Sequence, residues 1–162
     1  MPQVTTITPA VKTLTFSGNA VAAETVTLGT QVYTWRASVT TTANEVLVGA
    51  TAAASAQNLA DAVNLVAAGS GVTYGSLTTK NAVVRASAVT ATTVVFQAKA
   101  GGILGNFIPA TETMTVGAFG AAVLAGGAGD PSLAIQEILA AGQINADVAQ
   151  SLRELCFDPA AV

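Results

Sequence analysis

The sequence predicts an α+β fold in which antiparallel β-hairpins pack on one Ala-rich helix, with a helical hairpin at the C-terminus. Three observations predict it. Thr- and Val-rich runs alternate in the manner of half-buried strands on both sides of an Ala-rich stretch. That stretch carries apolar residues at helical spacing. A second helical pattern follows a glycine-rich segment near the end of the chain.

The strands come first. Thr13–Phe16, Glu24–Leu28 and Gln31–Trp35 are rich in Thr, Val and aromatics, the residues that suit a pleated, half-buried surface. Gly18-Asn19 and Gly29-Thr30 punctuate them, the second as a tight hairpin connection. A Thr-rich loop, Val39–Asn44, leads to a short strand at Glu45–Val48. From Thr51 the pattern becomes TAAASAQNLADAVNLVAAG, with Leu59, Val63 and Val66 on one helical face. Thr51 is placed to cap this helix and Gly69 to end it. Ala82–Ala88 and Thr93–Ala98 read as a second hairpin, Ala100–Asn106 as a break, and Thr113–Val116 as a last strand.

Gly117 to Gly129 reads as a glycine-rich linker. Beyond it, Asp130 and Pro131 open a helix with Ile135, Ile138 and Leu139 on one face, which Gly142 stops. Asn145 opens a second helix carrying Val148, Leu152 and Leu155, ending before Pro159. Two short helices cannot bury both apolar faces on each other, so they are expected to dock on the β domain or on a neighbouring subunit. Ile135, Ile138, Leu139, Leu152, Leu155 and Phe157 are the candidate assembly interface. The predicted organisation is an extended N-terminal arm over residues 1–12, an α+β module over 13–116, a linker over 117–129 and a helical hairpin over 130–162.

Composition argues against several function classes. Only 9% of the 162 residues are charged, against roughly 25% in ordinary soluble proteins. A surface so poor in charge implies extensive coverage by other copies or partners. The net charge is −3 and the six cations are scattered, so no basic face is expected for nucleic acid. Mean hydropathy is +0.57, yet the longest apolar stretch, near Ala118–Ala128, is broken by Gly120, Gly126 and Gly127. It falls short of the roughly 20 residues needed to span a membrane. Met1–Leu14 lacks the charged start and apolar block of a signal peptide, so synthesis and assembly in a cytoplasm are expected.

Catalytic chemistry is sparse. Histidine is absent, which removes the usual proton shuttle, nucleophile partner and zinc ligand. The carboxylates show no glycosidase-pair or calcium-loop context. Cys156 lies between Leu155 and Phe157 with no histidine to activate it, and no second cysteine exists for an intrachain disulfide. Gly101–Gly105 lacks the Lys-Ser/Thr ending of a phosphate loop. No enzyme activity and no cofactor are expected. Tyr33 and Trp35 are candidate glycan contacts, as aromatics able to form a sugar platform.

The segments LTFSGN, ETVTLGTQVYTW, ANEVLVGATAAASAQNLADAVN and VTYGSLTTKNAVVRASAVTATTVVFQAKAGGILGN, taken in order, resemble a module that recurs in bacteriophage tail and other virion proteins. The resemblance covers roughly residues 13 to 126, and Ala121–Gly127 looks like the module's usual close. A shorter echo, hairpin then Ala-rich helix then hairpin, is similar to the flagellin insertion motif. The resemblance implies a non-enzymatic structural brick that assembles with itself and with other virion proteins, and carries over no catalytic residue. Tail tube, connector or fibre base and capsid-surface decoration are the addresses it implies. A host-glycan binding module and a flagellin- or adhesin-like subunit are the alternatives of another class.

Overall fold

Alternating Thr and Val along a short run gives a strand one wet and one dry face, and eight strands form among the described residues. The computed structural model describes residues 7–129. They form β1 (Pro9–Phe16), β2 (Thr25–Leu28), β3 (Gln31–Arg36), β4 (Glu45–Leu47), α1 (Ala52–Asn64), β5 (Val84–Val89), β6 (Thr93–Gly101), β7 (Ala110–Glu112) and β8 (Gly117–Ala118). One four-stranded sheet has the order β5-β6-β1-β8 and the other β4-β3-β2-β7. All neighbours are antiparallel except β3 and β4, which run parallel. The expected α+β class with hairpins β2–β3 and β5–β6 is the architecture found.

Pairing follows the buried faces. Leu14 lies opposite Val94 and Lys12 opposite Phe96, while Val26 lies opposite Tyr33. Leu28 and Gln31 are paired across a two-residue loop in which Gly29 takes φ 65, a conformation that favours glycine. Between the sheets, Phe16 of β1 meets Trp35 of β3 edge-to-face, with ring centroids 6.3 Å apart.

The helix closes this core. Thr51 accepts the Ala54 N–H at 3.2 Å through its hydroxyl, a cap worth about 1 kcal/mol. Ala56, Leu59, Ala60, Ala62 and Val63 are buried, and α1 packs on β4 of one sheet and on β5 and β6 of the other. Its end differs from expectation. Leu65 takes the left-handed conformation at φ 55 and Val66 N–H closes on Asp61 O at 2.9 Å. Val66 therefore lies past the helix and is exposed rather than in the core stripe. Gly69 belongs to a following turn, where a β-carbon would come within 2.6 Å of the Tyr74 ring.

Three further expectations need correction. Residues 9–12, assigned to an arm, are part of β1, and Thr8 bridges Ala128. Residues 117–129 are no linker. Val11 and Ala125 exchange N–H···O bonds of 2.8 and 3.0 Å, Leu124 is fully buried, and the Asn106 amide brackets Gly127 at 2.8 and 3.0 Å. Thr113–Val116 is not a strand but the crossing from β7 in one sheet to β8 in the other. Side chains fix it there, through Thr113 to Thr25 and Thr115 to Glu24. The predicted C-terminal helical hairpin and its six candidate interface residues lie outside the described residues, as do residues 1–6 of the arm.

Candidate interaction surface

Tyr33 and Trp35 are not a glycan platform. Strand alternation points both inward with Val26 and Leu28, leaving each only 1% exposed, while Val32 faces out. The Tyr33 hydroxyl and Trp35 Nε1 have no hydrogen-bond partner among the described residues. Burial pushes the Tyr33 hydroxyl up to about 12. Tyr74 is likewise fully buried and donates to Val66 O at 2.6 Å.

The sheet edges are closed from within. Along β4, Leu47 N–H donates to Thr73 O at 2.8 Å and Gly75 N–H to Glu45 O at 2.9 Å. Beside β7, Ala110 N–H donates to Ala122 O at 2.8 Å, and β8 is two residues long. On β5 the Asn64 amide takes the place of a neighbouring strand. It donates to Ala86 O at 2.9 Å and accepts Ala86 N–H at 3.0 Å, next to a bulge between Ala86 and Ala88. Such devices prevent edge-to-edge pairing. Asn64→Leu should cost about 1–3 kcal/mol and cause association on heating, read by thermal unfolding with simultaneous light scattering. An unchanged midpoint with no added scattering would show that the clamp does not guard this edge.

The carboxylates serve local structure. Glu45 Oε2 accepts the Thr40 hydroxyl at 2.8 Å and the Thr40 N–H at 2.9 Å, and Oε1 faces Arg36 Nε at 3.3 Å. These contacts, the Thr40 hydroxyl foremost, hold its pKa below the ordinary 4.5. Burial raises the pKa of Glu24, but bonds from Thr115 and from Val21 N–H outweigh it, and its pKa too is lowered. A lowered folded-state pKa adds stability that is present above the unfolded value and lost as pH falls through the folded one. Stability should therefore stay level from neutral pH to about 5 and fall below the ordinary carboxylate range. Glu45→Gln should flatten this acid limb, as read from unfolding midpoints between about pH 3 and 7. An acid limb identical to that of the wild type would remove Glu45 from the account. Among the described residues no group of three His, Cys, Asp or Glu could hold a metal ion, and no helix is long and apolar enough to cross a membrane.

Two concavities stand out among the described residues. One, of about 480 Å³, lies between β7 and the loop 118–122, with Glu112 as its only ionisable lining residue. The other is an apolar groove of about 290 Å³ lined by Gly29, Thr30, Val83, Leu104, Phe107, Ile108 and Pro109. Its wall is the turn Ile103–Phe107 that follows β6. A β-carbon on Gly29 would lie 2.6 Å from Val83 Cγ2, so the missing side chain keeps the groove clear. Phe107 is 73% exposed, Val83 of the same lining is exposed, and so is Ile103 at the start of the turn. An unburied Phe flanked by other apolar side chains is the feature an interaction surface shows. The reading of Ala100–Asn106 as a break in regular structure missed it, although Ile103, Leu104, Phe107 and Ile108 are a dense apolar run in a segment of low charge.

No protein-family model matches this chain, and neither a curated protein nor a solved structure matches it.

Proposed function

We propose that the protein is a non-enzymatic structural subunit of a bacteriophage particle, assembling as a symmetric homo-oligomer with a place in the tail as tube, connector or fibre base. The observation that carries the reading is a domain whose sheet edges are closed and whose outer sheet faces are rich in uncharged Thr. Thr13, Thr15, Thr25, Thr27, Thr34, Thr93 and Thr111 stand opposite the buried faces of their strands. The charged side chains of the described region are Lys12, Glu24, Arg36, Glu45, Asp61, Lys80, Arg85, Lys99 and Glu112. Two of these, Glu24 and Glu45, spend their carboxylates on neighbouring backbone and hydroxyl groups. Few charges have to be desolvated when such faces meet, and a standard interface needs only about 800 Å² from each partner. The resemblance of residues 13 to 126 to a virion module supplies the setting, and synthesis and assembly in the host cytoplasm go with it.

Light scattering of the purified full chain, with negative-stain imaging of the same sample, tests the reading. Discrete rings or tubes are the expected result. A monomer at every concentration would overturn the homo-oligomer and favour a decoration protein that orders only on a particle.

A further inference from the structure

We propose that the groove beside Phe107 is the seat of this chain's own C-terminal segment, residues 130–157. The path of the chain argues for it first. Ile103 N–H donates to Gly129 O at 3.2 Å, so the last described residue is held at the first residue of the turn that carries Leu104 and Phe107. A segment tethered at the lip of a groove meets it at an effective concentration in the millimolar range or above, which favours the chain's own segment over that of a second copy.

Pattern and charge agree with this. The sequence of 130–157 places Ile135, Ile138 and Leu139 in one stripe and Leu152, Leu155 and Phe157 in another, and short amphipathic helices need a surface on which to bury such stripes. The groove offers Val83, Leu104, Phe107, Ile108 and Pro109 and no acidic lining residue. Residues 130–162 contain Asp130, Glu137, Asp147, Glu154 and Asp158 against Arg153 alone, whereas the flank of the groove is basic. Lys99 N–H bonds Val83 O and its ammonium group reaches Asn81 O. Exposed Lys80 lies between Asn81 and Thr79, whose carbonyl accepts from Gln31 beside Thr30. An acidic amphipathic segment is the occupant this apolar groove with basic flanks fits. The inference stands apart from the virion reading, since it concerns the completion of one subunit.

The only cysteine, Cys156, lies between Leu155 and Phe157 and gives the test. In the full chain, Val83→Cys, Leu104→Cys and Phe107→Cys are compared with Val21→Cys and Val72→Cys, at exposed positions that do not line the groove. Under mild oxidation in dilute solution, at least one groove variant should form a disulfide to Cys156 within one chain about tenfold faster than either control. Equal rates at all five positions would overturn the proposal, and disulfides between two chains at the groove positions would replace it with the segment of a second copy. Backbone amide exchange supplies a readout that needs no new cysteine. In the full chain carrying Leu152→Asp and Leu155→Asp, residues 103–108 should exchange about tenfold faster than in the wild type, and unchanged exchange would count against the seat.

Discussion

Trp35→Ala should destabilise the protein by about 3–5 kcal/mol and lower its thermal midpoint by on the order of 10 °C or more. The indole is 1% exposed and meets Phe16 edge-to-face across the space between the sheets, so truncation opens a cavity where both sheets and α1 contribute to one core. A domain of this size has only about 5–15 kcal/mol to lose. Trp35→Phe should cost much less. It keeps an aromatic ring against Phe16, and it removes an Nε1 that has no partner among the described residues. Thermal unfolding followed by circular dichroism checks both variants. A Trp35→Ala midpoint close to that of the wild type would mean that the residue stands on the surface, where substitutions usually cost less than about 0.5 kcal/mol, and would revive the sugar-platform reading.

Asn81→Ala is expected to cost about 2–6 kcal/mol, from the two buried backbone groups, Leu28 O and Val84 N–H, left without partners at about 1–3 kcal/mol each. Asn81 is 1% exposed. Its Nδ2 donates to Leu28 O at 3.1 Å, and its Oδ1 accepts Val84 N–H at 2.9 Å and Val83 N–H at 3.0 Å. One amide thus ties the end of β2 in one sheet to the start of β5 in the other. The loss should show as a lower denaturant midpoint with little change in slope. A shift under about 1 kcal/mol would mean that water replaces the amide, placing the site at the surface.

The strands and the helix were legible because their signals are local. Thr/Val alternation marked β1 to β3 and the β5–β6 hairpin, and Thr51 marked the start of α1. Pairing beyond the β2–β3 and β5–β6 hairpins was not legible. β1 bonds to β6, far along the chain, and β3 to β4 in parallel, arrangements set by which buried faces meet. Glycine misled twice. Residues 117–129 read as a linker because glycine ordinarily marks turns and linkers, yet this segment bonds along β1 and buries Leu124. Gly69 read as a helix end, while Leu65 adopts the left-handed cap. Of the candidate sites, Tyr33 and Trp35 suit sugar stacking by residue type alone, and their alternation with Val32 and Thr34 assigns them to the core. The apolar turn at Ile103–Phe107 gave no periodic signal, and only folding brings it beside Val83 and Gly29.

The central claim, that this chain is a structural subunit of a phage particle, is tested most directly by quantitative mass spectrometry of purified particles from an infection that expresses it. The account predicts the chain in a fixed copy number per particle that matches the symmetry of the tail or its connector. Its absence from intact, infectious particles would contradict the account.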